Sequence, residues 1–549
     1  MTRTTAVNSR YALEEVLANL DSRDLIKARI VLGHFSHLEE GAQRRILFEL
    51  NRRDDQMCLA MLVYLISTNQ QAREKYSDIA ESILAKVLDE PQDLLSLLTS
   101  CRGVEMCYCI ELVGKIRLRE AVPELIQLLA SHSDPVILKA AIVALGVIGS
   151  PDAVNAITGI ILSGSDSLIL PAIQALGQIA SPTAMQRLVE CLGTDEAIDM
   201  IILDIFAAIQ DDVALEILNK TLQSRSAVLR NYSKSKLIAI GNKAVPILIA
   251  NLASPDSDLQ IHSLNALLEI GDDSAVMPIR KLITTQPHNA NVRFAAFEAL
   301  ANLPVRKGDY IWASGLLDSE SNIRLAAAKA IERTLDDVLS AGIRNMVRNQ
   351  DQEAVQVVRA VLDSQSKNIV LNLIRHEIGV DLVIDYLTSQ AHQDIRAFFF
   401  QVLLEAGYAD LAQVVIDSQK QQGVKESIKV CAVDDSRMIL SVYRSVLNEL
   451  GYESELFTNP EVALDWLKIN QVGFVCTDLN MPEMTGIDLT RALRKIFNKE
   501  QLPIIMVTTQ NDRQEHGEAI AAGVNCIAAK PFDAKSLQAA IATIHHVSP

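Results

Sequence analysis

The stretch AVPELIQLLASHSDPVILKAAIVALGVIGS, residues 121–150, reads as two helices joined by a polar turn, and it recurs as AVPILIANLASPDSDLQIHSLNALLEIGD at residues 244–272. Each copy opens on an apolar helical stretch, breaks at Ser, Pro or Asp, and closes on a second helical stretch near a Gly. In LKAAIVALGVIG, residues 138–149, apolar side chains fall three and four apart, the helix period. One apolar position marks the end of the second stretch, at Ile116, Ile148, Ile179, Ile209, Ile240, Ile270 and Leu303. The steps between marks are 32, 31, 30, 31, 30 and 33 residues by subtraction, and another copy, SNIRLAAAKAIERTL, follows at residues 321–335. A regular period of this size predicts a solenoid. One helix pair cannot bury both of its apolar faces, whereas stacked pairs bury a continuous core. Pro123, Pro135, Pro246 and Pro255 fall at helix starts or turns, where a missing N–H is tolerated.

These units resemble HEAT repeats, especially the short bacterial type related to phycobilisome-lyase repeats, over residues 105–345. The motif is VPxLxxxL followed by (D/N)xxVRxxAxxALxxIG. Arg230, Arg293 and Arg324 match the arginine of the second helix, while Leu138, Ile169 and Gln260 hold that place in other copies. Those arginines read as packing or capping groups rather than ligand-binding ones. The flanks are helical too. YALEEVLANL and DIAESILAKVL lie in residues 1–104, read as degenerate repeats or a cap, with a separate bundle as the alternative. Residues 346–417, including QDIRAFFFQVLLEAG around Arg396, read as a C-terminal cap, and the polar stretch 418–427 as a linker.

The whole chain has 549 residues, too many for one core. Its 49% apolar and 4% aromatic content suits a helical protein rich in Leu, Ile and Ala. A net charge of −17 argues against a general nucleic-acid or anionic-membrane surface. None of the eight cysteines forms a CxxC pair, and Cys107 and Cys109 lack a second Cys/His pair at metal spacing, so buried reduced thiols are expected. The N-terminus lacks a signal-peptide pattern, and no run approaches the roughly 18 apolar residues of a membrane span. The expected setting is cytoplasmic, without membrane insertion.

After residue 427 the rhythm changes. Short apolar runs IKVCAVDD (428–435), ESELFT (453–458), GFVCTDL (473–479), LPIIMVTT (502–509) and NCIAAK (525–530) alternate with five helical stretches. This predicts βαβ units and a parallel sheet covered on both faces, in a domain of residues 428–549. In such sheets ligands bind beyond the carboxyl ends of the strands. Asp434 and Asp435, Asp478, Thr508 and Lys530 would converge there from separate strands. Clustered carboxylates repel one another unless a cation intervenes, and hard oxygen donors suit Mg²⁺. A carboxylate can attack phosphorus to form an acyl phosphate, with an ammonium and a hydroxyl to stabilise the transferred group.

VDD at 433–435, TDLNMPEMTG at 477–486, VT at 507–508, AAG at 521–523 and KPF at 530–532 resemble a response-regulator receiver domain of the CheY-like family. The resemblance implies a doubly wound (βα)5, flavodoxin-like fold. It implies Asp478 as phosphoacceptor, Asp434, Asp435, Asp478 and the backbone carbonyl of Asn480 around Mg²⁺, and Thr508 and Lys530 on the phosphoryl group. A cis peptide is expected before Pro531. Two positions depart from the family pattern: Ile527 replaces the aromatic switch residue, and Thr509 replaces a small residue. His545 and His546 are given no phosphorelay role. The expected function is a two-component response regulator fed by a histidine kinase or phosphotransfer protein, with the solenoid binding an unidentified protein partner. No enzymatic activity is expected beyond the receiver's own phosphotransfer and dephosphorylation. A receiver-regulated enzyme of the bilin-lyase-like HEAT type and a nucleic-acid-binding solenoid stand as alternatives.

Overall fold

Every apolar mark falls at a helix end in the computed structural model, which describes residues 2–53, 55–162, 166–304, 311–421, 428–481, 483–508 and 513–545. The second helices are Gly103–Lys115, Pro135–Ile148, Asp166–Ile179, Glu196–Ile209, Ala227–Ile240, Ser257–Ile270 and Ala290–Asn302, with Ile116 and Leu303 as the C-caps of the first and last. Between them run Val122–Ser131, Val154–Leu162, Pro182–Cys191, Asp212–Thr221, Val245–Asn251 and Val276–Thr284. The turn chemistry explains where the second helices begin. Asp134, Asp256 and Asn289 each accept a backbone N–H of the following first turn, satisfying a group the helix itself cannot.

The chain forms two compact units, residues 1–209 and 210–549. In the first, helices Thr2–Asp21 through Pro91–Ser100 lead into the repeats, and helix Gln56–Thr68 packs on Gly103–Lys115. Small residues let neighbouring second helices approach closely: a Cβ on Gly146 would stand 2.8 Å from the Cα of Ala175. The cysteines are free thiols; Cys101 and Cys109 are buried with their sulfurs 3.5 Å apart.

In the second unit the repeat arginines act as caps. Arg230 donates to the carbonyls of Ser224 and Arg225 at 2.7 and 3.0 Å, and Arg324 to those of Asp318 and Ser319 at 2.6 and 2.9 Å. Arg293 holds the carbonyls of Pro287 and His288 and also grips Asp318 with two nitrogens, at 2.8 and 3.0 Å. Gln260 makes the equivalent reach, to the Leu252 carbonyl at 2.9 Å. Each side chain thus ties its helix to the turn before it. Further helices follow: Ser321–Thr334, Asp337–Val347, Gln352–Asp363, Lys367–Arg375, Val380–Ser389, Gln393–Glu405 and Ala409–Gln421. The last of these runs into the expected linker, because Gln and Lys propagate a helix well; residues 422–427 lie outside the described residues.

The same unit contains the sheet. Its strands are β1 (Lys429–Val433), β2 (Glu453–Phe457), β3 (Phe474–Asp478), β4 (Ile504–Thr508) and β5 (Cys526–Ala529), all parallel in the order β2-β1-β3-β4-β5. The helices are α1 (Arg437–Glu449), α2 (Pro460–Leu467), α3 (Gly486–Arg494), α4 (Arg513–Ala522) and α5 (Ala534–His545). β3 and β4 are buried throughout, while the edge strand β2 is half-buried at every position. Helices over both faces require that apolar continuity. The core gathers Val433, Val475, Leu489, Leu493, Ile504 and Met506, among others.

Candidate functional site

Parallel strands deliver their last residues to one rim. Asp478 is the last residue of β3 and Thr508 the last of β4. Asp434 follows β1 directly, and Lys530 follows β5 directly. The order reverses between β1 and β3, so Asp434 and Asp478 flank the switch point where α/β sheets open a crevice.

Lys530 unites them. Its ammonium stands 2.6 Å from Asp434 Oδ2 and 3.0 Å from Asp478 Oδ1. Both carboxylates are buried, as is Thr508, whose backbone carbonyl accepts the Lys530 N–H at 2.8 Å. The Lys530–Pro531 peptide is cis. Asp435 lies at the exposed edge of the group. The Asn480 N–H donates to Asp478 Oδ2 at 3.2 Å, closing the loop after β3.

Burial pushes the Asp434 carboxyl up to about 8, with Asp478 and Asp435 adding to the push and Lys530 opposing it. The surrounding protein raises Asp435 as well, although its side chain still reaches solvent; Lys234 and Lys530 work against that shift. Burial alone would lower Lys530, but Asp434 and then Asp478 hold it well above its usual value. The ammonium is therefore charged at neutral pH.

The donor set suits a hard divalent cation. It consists of carboxylate oxygens at one rim, and the Asn480 side-chain oxygen is buried without a hydrogen-bond partner among the described residues. Among the described residues no three acidic, imidazole or thiol side chains already stand in metal-holding geometry. The Lys530 ammonium supplies the positive charge between Asp434 and Asp478.

Residues 430–542 match the family model for the response regulator receiver domain, and residues 91–170, 124–203 and 245–332 match that for HEAT repeats. The chain is similar to the chemotaxis protein CheY of Pseudomonas aeruginosa, 37% identical over 118 residues that cover 21% of this chain and 95% of that protein. It is similar to CheY-3 of Vibrio cholerae at 34% identity, covering 21% and 89%. A solved structure of CheY4 of Vibrio cholerae aligns at 30% identity over 22% of this chain and 98% of that one, with a TM-score of 0.21. The chain belongs to the response-regulator receiver family.

Within the receiver, the loop after β3 is shaped by Gly486. A Cβ there would lie 2.0 Å from the Asp478 carbonyl oxygen, so only glycine lets α3 start so close to the acid. Thr485 and Asp488 then form a capping box that fixes the start of α3. Ile527 is half-buried against the sheet core, pairing in register with Met506. Thr509 and His546, and the side chain of His545, lie outside the described residues.

Sequence reasoning missed the solenoid's part in this rim. Asn291 Nδ2 donates to the Lys530 carbonyl at 2.8 Å, and the Ser436 hydroxyl donates to Glu298 Oε1. Burial pushes Glu298 up to about 7; the Ser436 hydrogen bond opposes this, Asp435 adds to it, and Lys530 and Lys329 also oppose it. Neither residue carries a sequence signal for this role. They lie 239 and 138 residues from their receiver partners.

Proposed function

We propose that the protein is a two-component response regulator that accepts a phosphoryl group on Asp478 from a histidine kinase or phosphotransfer protein. The observation that carries this reading is the bridge of Lys530 between Asp434 and Asp478 at the carboxyl rim of the sheet. A carboxylate oxygen of Asp478 attacks phosphorus of a phosphohistidine. The P–N bond breaks, its electron pair stays with the imidazole, and the product is an acyl phosphate. Lys530 then faces the new phosphoryl oxygens, and the Thr508 hydroxyl is the candidate hydrogen-bond donor to one of them. Asp434, Asp435, Asp478 and the Asn480 carbonyl would hold Mg²⁺, which when bound offsets their mutual repulsion and the charge of the phosphoryl oxygens.

The added charge, roughly −1.5 to −2 near neutral pH, shifts a two-state element. The HEAT solenoid is the natural output, as a stacked array offers an extended surface for a protein partner. Among the described residues no helix is long and apolar enough to cross a membrane. We place the protein in the cytoplasm, where kinase, ATP and Mg²⁺ are found together. The test is incubation of the full chain with acetyl phosphate and Mg²⁺, read on a phosphate-affinity gel. The wild type should shift and Asp478→Asn should not; equal shifts would remove Asp478 as the acceptor.

A further inference from the structure

We infer that the solenoid closes over the phosphoacceptor rim of the receiver, and that this docking and phosphorylation of Asp478 oppose each other. The inference rests on the proposed role of Asp478 and names how that site is regulated. The contact runs along α1 from the site outward. Ser436, its N-cap, meets Glu298; Lys329 reaches the Ser441 hydroxyl at 3.4 Å; Ser445 donates to Asp363 Oδ2 at 2.6 Å. Asn448 donates to the Gln390 carbonyl at 3.0 Å, and Arg359 pairs with Glu449 at 2.6 Å. Receiver positions 441, 445 and 448 lie four and three residues apart and share one face of the helix, with 449 beside them and 436 at the N-cap. Their partners sit on helices Ala290–Asn302, Ser321–Thr334 and Gln352–Asp363 and just beyond Val380–Ser389.

At the site end, Asn291 and Glu298 take hold of Lys530 and Ser436, the two flanks of the acidic group. A phosphodonor carried on a protein must reach Asp478 across that rim, so the docked solenoid stands in its path. A phosphoryl dianion on Asp478 would also add negative charge to the rim that Glu298 meets through Ser436. Beyond the site the two surfaces leave space between them. A cavity of about 600 Å³ opens between α1, α5 and the solenoid, lined by Arg324, Arg359, Asp363, Val442, Glu449 and Lys535. Ion pairs and hydrogen bonds around such a cavity suit a contact that parts and reforms. Coupling between two binding events is reciprocal, so whatever undocks α1 must also favour phosphorylation.

The test uses the full chain with Mg²⁺ and beryllofluoride as the phosphoryl mimic. The double variant Asn448→Asp, Glu449→Arg puts a carboxylate against the Gln390 carbonyl and a cation against Arg359, and touches no group of the acid site. It should bind beryllofluoride about tenfold tighter than wild type, within the usual range of such couplings. Hydrogen exchange in α1 of the wild type, slow at rest, should rise on saturation with beryllofluoride toward the level of the untreated variant. Equal affinities, or wild-type exchange unchanged by saturation, would overturn the coupling. If beryllofluoride binds neither protein, the reading of Asp478 as acceptor falls first and takes this inference with it.

Discussion

Lys530→Met removes one ammonium and keeps most of the apolar stem, which isolates the charge at the centre of the acid site. The nitrogen stands 2.6 and 3.0 Å from its two carboxylates, and the side chains of Lys530, Asp434 and Asp478 are 9%, 1% and 10% exposed. At an effective dielectric constant of about 20, these distances correspond to attractions of about 6 and 5.5 kcal/mol. Desolvation of the charges offsets much of that. Removing one partner of a buried pair costs about 3–5 kcal/mol, because the other charge stays buried and uncompensated. That is the loss expected for the receiver at about pH 9, with Asp434 ionised and no divalent metal present. The pH dependence has a definite sign. Burial already holds Asp434 up at about 8, and loss of the opposing ammonium raises it further in the folded chain, while an unfolded aspartate ionises above about 3.9. The variant's deficit therefore grows as pH rises through about 8, where Asp434 ionises in the wild type but not in the variant, by up to about 1.4 kcal/mol per unit. In the wild type the raised Lys530 contributes fully at neutral pH and loses that contribution only far into the alkaline range. Hydrogen exchange of the β1 and β3 amides measures the opening free energy of the receiver alone. A deficit under about 1 kcal/mol at pH 9, or one equal at pH 6 and pH 9, would refute the assignment of the ammonium as the neutralising charge.

Arg293→Met should destabilise the solenoid of the second unit by about 2–4 kcal/mol, since it removes a bidentate pair with Asp318 and two carbonyl contacts at once. A urea midpoint within error of wild type would show that the arginine does not cap. Mg²⁺ affinity should rise with pH between about 6 and 8, by up to tenfold per unit, because the raised Asp434 carboxyl must release its proton first. Calorimetry in buffers of different ionisation heat should detect that proton, and a flat affinity across the range would contradict the shift.

The solenoid was legible because its signal is local and repeated. A helix pair with one apolar face writes the same spacing every thirty-odd residues, and Ile148, Ile179, Ile209, Ile240 and Ile270 each close a helix where the spacing puts them. The receiver's strands were legible for a related reason, as burial on both faces demands unbroken apolar runs such as IIMV at residues 504–507. Helix Ala409–Gln421 reaches into the first residues of the stretch expected as a linker, because polarity alone does not separate a loop from the last turn of a helix.

Chain order and periodicity thus settled which elements form, and strand ends settled which polar residues share the rim. Only the folded arrangement decided how those residues pair. Lys530 turns to Asp434 and Asp478 because burial leaves its charge no water to bind. The folded arrangement also decided that Asn291 and Glu298 join the rim, a contact between distant segments that no local spacing encodes. Such contacts depend on how two already formed surfaces meet, and a linear pattern holds no record of that meeting.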